Sequence, residues 1–268
     1  MNAPPPPLRM IFPRLPFATA VLIGLNVAVW LLQVARGVAP LHASPEALVA
    51  WGGDVPLLTL TGDAWRLATA MFLHGGITHL ALNMFALAFT ATRLEDEFGT
   101  LRMLVIYVLG GLTASCATVS WNDWQALHGQ IAGLVTVSVG ASGAIMAQFG
   151  ALLVALVLVP PRFAALPPHR RPGVDTGLIQ VVVINLGLGF VVPHVDQAAH
   201  VGGLLAGATL GVLLSIFPAA TGALATLARY VAAAVLAAAC VGALLHGASS
   251  VRLQALRAQW LAEQPPGR

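Results

Sequence analysis

Seven apolar runs decide what this chain can fold into. They fall at about 17–35, 77–93, 101–120, 141–159, 174–192, 197–217 and 224–246. Each is close to the roughly 20 residues an α-helix needs to cross the hydrocarbon of a bilayer. Only 9% of the residues are charged and 58% are hydrophobic, with a mean hydropathy of +0.84. A soluble domain carries about a quarter charged residues. Too few are present here to cover a globular surface, and the expected class is an all-α polytopic membrane protein. The net charge of +3 is carried without any basic cluster of the kind that grips nucleic acid, so no nucleic-acid partner is expected. Cys116 and Cys240 sit inside apolar runs without metal-type spacing and read as buried thiols.

In chain order, residues 1–16 form a short Pro-rich tail carrying Arg9 and Arg14. Basic residues precede the first run as they do in a signal peptide. The run is long for that role and no Ala-x-Ala site closes it, so it reads as a retained helix. The membrane domain is then expected over 17–246, with a C-terminal tail over 247–268. Residues 36–76 form a long connection whose amphipathic stretch, Ala64 to Phe72, suits the membrane interface rather than its core. All basic residues are Arg. Arg9, Arg14, Arg93, Arg102, Arg162, Arg170, Arg171 and Arg229 fall on one side of a seven-helix arrangement, against Arg36 and Arg66 on the other. The positive-inside rule then puts the N-terminus in the cytoplasm of a cell, or inner, membrane. Arg252, Arg257 and Arg268 of the tail would lie outside, against that rule.

Polar groups within or beside the runs need a reason, because they are costly in a bilayer and usually functional. Ser142, between Gly140 and Gly143, opens the fourth run. There the free N–H groups and positive dipole end of a helix favour negative charge. His200 lies near the start of the sixth run, followed by Gly203 and Gly207, a small-xxx-small face that lets another helix approach. His79 and Asn83, four residues apart, share one face of the second helix. The structural alternatives are helix-packing filler for Ser142 and helix-to-helix hydrogen bonds for His79, Asn83 and His200. By orientation all four lie near the outer side, and together they read as a hydrolytic site. Asp196, one turn before His200, could orient it, although an exposed helix-start carboxylate is the plainer reading. His74, His79, His194 and His200 could ligate zinc, but the His-Glu-x-x-His pattern is missing and no metal is expected. Glu95, Asp96 and Glu97 are expected to pair with Arg93 and Arg102. Trp65-Arg66 is expected to anchor the outer connection.

These pieces resemble the rhomboid family of intramembrane serine proteases. The matching residues are Trp65-Arg66, His79-x-x-x-Asn83, Glu95-x-x-x-Gly99, Gly140-Ala141-Ser142-Gly143 with Gly150, and His200-x-x-Gly203-x-x-x-Gly207. The resemblance spans about residues 17–217, and the seventh run fits a six-helix bundle plus one extra C-terminal transmembrane helix. It implies a Ser142–His200 dyad without a carboxylate, with His79, Asn83 and the Ser142 N–H holding the oxyanion. It also implies transmembrane-helix proteins of the bilayer as substrates, a site opening to the outer side, and no cofactor. Many family members carry an aromatic four residues after the serine, packed on the imidazole; here that position is Met146. A catalytically silent, helix-binding relative is the alternative, against which both Ser142 and His200 are present. A transporter would show repeated halves with broken helices, and none is visible.

Overall fold

The computed structural model describes residues 15–158, 176–191, 195–215, 223–247 and 251–263. The first tail, the 159–175 connection with Arg162, Arg170 and Arg171, His194, and Arg268 lie outside the described residues. The long helices coincide with the apolar runs: α1 (Phe17–Ala35), α5 (Ile77–Phe98), α6 (Thr100–Leu127), α7 (Ser142–Leu158), α8 (Thr176–Val191), α9 (Gln197–Ser215) and α10 (Ala223–Gly247). Between α1 and α5 lie the short helices α2 (Pro45–Ala50), α3 (Pro56–Leu60) and α4 (Arg66–Thr69), the last running into a 3₁₀ turn over Ala70–Phe72. A second 3₁₀ turn, Ile131–Val135, precedes α7, and α11 (Val251–Glu263) follows α10.

By length and apolar character α1, α6 and residues Gln197–Leu214 of α9 suffice to cross a membrane. Arg66–Phe72 and Ile77–Asp96 form a further pair bent by 91°, and α7 and α10 contain the shorter apolar segments Ser142–Ala155 and Leu227–Gly242. The chain is an integral membrane protein, and its exposed apolar side chains, among them Phe85, Val183, Leu205 and Val235, suit lipid. Helix α6 outruns its apolar run. Its 28 residues reach about 42 Å at 1.5 Å each, more than the roughly 30 Å hydrocarbon layer. The surplus is the Trp121–Leu127 end, where Trp121 and Trp124 stack with ring centroids 5.2 Å apart, as aromatics do at the interface.

Helix α7 is the centre. Its Ala144–Leu152 stretch is buried throughout, packed against α5, α6 and α9. The α7–α9 contact is made by small residues. A Cβ on Gly203 would overlap the Gly143 carbonyl, one on Gly207 the Ala147 carbonyl, and one on Gly150 the Leu204 carbonyl. Without a hydrophobic drive between helices in lipid, such close approach supplies the dispersion that holds them.

The 36–76 connection is a folded cap, more deeply packed than its amphipathic sequence suggests. Val55, Leu57, Leu58, Leu60 and Leu67 form a second core with Cys116, Val119, Ala126 and Leu134. Arg66 is its clasp, donating from Nη1 to the carbonyls of Val49 (2.8 Å) and Gly53 (2.9 Å) and from Nε to Asp63 (3.2 Å). Its guanidinium also lies 4.6 Å from the Trp65 ring centroid. The anchoring role expected for Trp65-Arg66 is therefore visible in the contacts.

Residues 251–263, within the C-terminal tail, form a helix. Leu253, Leu256 and Trp260 join the second core, and Arg257 reaches the Thr61 carbonyl (2.8 Å) and Asp63 (3.0 Å). The amphipathic sequence docks because the cap offers an apolar surface. Among the described residues Glu95 takes no arginine. It accepts from the Thr19 N–H (2.9 Å) and hydroxyl (2.8 Å), the Ala18 N–H (3.3 Å) and the Thr100 hydroxyl (2.8 Å). The free N–H groups at the start of α1 are the stronger attraction for a carboxylate placed there. Arg93 lies 4.0 Å from the Phe89 ring centroid.

Candidate active site

Ser142 is the first residue of α7, so its own N–H and those just after it have no partner within the helix. The turn before it is held from three directions. Gly140 donates its N–H to the Ala70 carbonyl (2.9 Å), Ser138 exchanges backbone bonds with Asp54, and Ser138 donates its hydroxyl to Asp196. Gly140 has φ +126°, in the left-handed region that favours glycine. A Cβ there would sit 2.8 Å from His79 Nε2 and 3.8 Å from the Ser142 hydroxyl. Both groups thus converge on the bare side of Gly140.

His79 is fixed by its neighbours. Its Nδ1 accepts the Gly75 N–H (3.4 Å), and its ring meets His74 edge to face at 5.2 Å. With Nδ1 accepting, the neutral ring carries its proton on Nε2, the atom facing Gly140. A donor is thereby aimed at the turn that presents Ser142. Asn83, one turn further along α5, is buried and gives one amide hydrogen to the His79 carbonyl (3.0 Å), leaving the second.

His200 enters from α9. It is buried, lies within electrostatic reach of His79, and sits one turn before Gly203, which rests on the Gly143 carbonyl. The small-residue contact therefore brings the His200 end of α9 beside the Ser142 end of α7. The ring bonds to the backbone of Asn185 on α8, while Nδ1 has no hydrogen-bond partner. Among the described residues the Ser142 hydroxyl makes no hydrogen bond, to His200 or to any other group. Met146 is buried one turn after Ser142, 3.3 Å from where a Cβ on Gly203 would be. It fills the α7–α9 seam next to the site.

Asp196 is not free to orient His200, nor is it an exposed carboxylate. Its Oδ1 caps α9 through the Ala199 N–H (2.9 Å), and its Oδ2 accepts from the hydroxyls of Thr118 (2.7 Å) and Ser138. The sequence reading passed over Asp54, which bridges to Ser138. Its only signal was a carboxylate ahead of the apolar stretch Val55-Pro56-Leu57-Leu58.

The Rhomboid domain family model matches residues 61–217, which is more than half of the chain. This chain belongs to the rhomboid family. It is 34% identical over 237 residues to the rhomboid protease GluP of Bacillus subtilis, covering 88% of this chain and 41% of that protein. It is 30% identical over 211 residues to the rhomboid protease AarA of Providencia stuartii, covering 75% of this chain and 73% of that protein. It is also 39% identical over 160 residues to RHOMBOID-like protein 5 of Arabidopsis thaliana, 59% of this chain and 46% of that one. This rhomboid chain thus spans less than half the length of the Bacillus and Arabidopsis relatives and about three quarters of the Providencia one.

Proposed function

We propose that this rhomboid-family chain is an intramembrane serine endopeptidase that cuts transmembrane helices of other proteins near their outer ends. Ser142 attacks the scissile carbonyl while His200 takes its proton, and His200 then protonates the leaving amine. Water hydrolyses the resulting acyl-enzyme by the same route in reverse. The oxyanion is held by the Ser142 N–H, His79 and Asn83, usually the largest single catalytic contribution. A helix keeps its carbonyls in its own hydrogen bonds, so a substrate must unwind locally and helix-breaking residues favour cleavage. The observation that carries this reading is that His79 Nε2 and the Ser142 hydroxyl both border the bare side of Gly140, 2.8 and 3.8 Å from where its Cβ would be. The protease names of the Bacillus and Providencia relatives support it.

A second reading, a silent rhomboid that binds membrane helices, is favoured by the unmade Ser142–His200 hydrogen bond. Catalytic hydrogen bonds are often long before substrate binds, so the hydrolase reading is preferred. One experiment separates the two. Wild type, Ser142→Ala and His200→Ala are purified in detergent, then exposed to a fluorescent fluorophosphonate and to a transmembrane substrate with a helix-breaking segment. Labelling and cleavage in wild type only, with losses of about 10³-fold or more in the variants, are expected. Folded wild type that neither labels nor cuts, yet binds substrate as the variants do, would make the protein a helix-binding relative.

A further inference from the structure

The outer cap meets the turn before Ser142 through the backbone of Asp54, and the start of α9 meets it through the carboxylate of Asp196. Asp54 gives its N–H to the Ser138 carbonyl (3.0 Å), and Ser138 returns its N–H to the Asp54 carbonyl (2.8 Å). The Ser138 hydroxyl bonds to Asp196, which caps the helix bearing His200. The Asp54 side chain is itself 1% exposed. Its Oδ1 accepts the Thr59 hydroxyl and its Oδ2 has no partner. Arg66, whose charge acts on Asp54, already donates to two carbonyls and Asp63.

We propose that Asp54 is a positioning residue for the Ser142 site, its proton holding the 138–141 turn against the start of the His200 helix. This rests on the hydrolase reading. With Asp54 protonated, one negative charge, on Asp196, lies beside Ser138. With Asp54 ionised, a second negative charge, buried on Asp54, acts on Asp196 across the Ser138 bridge. Their repulsion drives the turn and α9 apart, carrying His200 away from Ser142.

The charge environment sets where this happens. Burial pushes the Asp54 carboxyl up, to about 7, opposed by the Thr59 hydrogen bond, reinforced by Asp196 and opposed again by Arg66. The groups facing it are Arg66 from α4, Asp196 from the start of α9 and Cys116 from α6. Asp63 is turned to Arg66 and Arg257. The folded state holds this proton more tightly than the unfolded chain does. The stability it contributes is fully present below the unfolded value of 3.8 and is lost as pH rises through about 7.

Asp54→Asn keeps the size and the acceptor for Thr59 but cannot ionise. Fluorophosphonate labelling rates and melting temperatures of wild type and Asp54→Asn are measured in one detergent from about pH 5 to 9, with Ser142→Ala as the blank. The titration of His200 is common to both proteins and cancels in their rate ratio. The ratio of variant to wild type is expected to rise about threefold or more, with a midpoint near 7, while the melting difference moves in favour of Asn. A flat ratio in an enzyme that labels overturns the positioning role, even if the melting difference titrates. If Asp54→Asn does not fold, Ser138→Ala serves, since it keeps the backbone bridge and cuts the link to Asp196. Its labelling rate is expected to fall several-fold, and an unchanged rate and pH profile overturn the proposal. Folded wild type that labels at no pH instead defeats the hydrolase reading, and the positioning role goes with it.

Discussion

Gly140 carries two demands at once: a backbone with φ +126° and the close approach of His79 Nε2. Gly140→Ala meets neither, and is expected to cost about 1–3 kcal/mol of stability together with most of the fluorophosphonate labelling. Thermal unfolding in detergent, followed by labelling of the folded fraction, separates the two losses. Deeper in the bundle, the Thr90 hydroxyl, with one proton to give, lies 2.6 Å from Gln148 Oε1 and 3.0 Å from the Ala86 carbonyl, while Gln148 Nε2 is buried without a partner. Thr90→Val strands the second end of that amide as well and is expected to cost about 1–3 kcal/mol. Gln148→Leu removes the orphan at similar volume while Thr90 keeps its carbonyl. Its melting temperature is expected to equal or exceed wild type, and a clear drop would show that Gln148 has a partner under working conditions.

At the scale of elements, two contacts of different physics hold the architecture. The α7–α9 seam depends on bare backbone, so Gly203→Ala forces a methyl into the Gly143 carbonyl. Overpacking of this kind costs about 1–3 kcal/mol, and more where backbone must move. The expected result is a lower melting temperature with labelling lost ahead of global unfolding, because His200 and Ser142 ride on the two helices being separated. The docking of α11 combines an ion pair with apolar burial. Arg257 and Asp63 are each about a quarter exposed (24% and 23%), so Arg257→Ala is expected to cost less than about 1 kcal/mol. Leu253, which is 7% exposed, is the stronger contact, and Leu253→Ala is expected to cost about 2–5 kcal/mol. Equal losses in the two variants, measured by denaturant unfolding, would contradict that ranking.

For the whole molecule, α11 and the 36–76 cap are in contact and so share one side of the bundle. A chain crossing seven times with its N-terminus in the cytoplasm would put both outside. Reporter fusions at residues 40 and 268 are expected to respond as external, and a fusion at the N-terminus as cytoplasmic. A cytoplasmic signal from the C-terminal fusion alone would mean an even number of crossings. Of the tail arginines, Arg257 no longer weighs against this topology, since it is bound to Asp63 and the Thr61 carbonyl.

Much of this was legible in the chain itself. Hydropathy over about 20 residues is a local property that a bilayer enforces, so the long helices stand where the apolar runs stand, α1 to the residue. The motif spacing likewise put Ser142 at a helix start and His79 with Asn83 on one face, because helical period is local. What needed the tertiary structure was every pairing between distant segments. Glu95 turned from its neighbouring arginines to the start of α1, Asp196 became a cap tied to Ser138 and Thr118, and the tail became a helix against the cap. A buried carboxylate goes to whichever unpaired donors the packing leaves nearest, and an amphipathic segment to whichever apolar face is open. Neither is written in the spacing of residues along the chain.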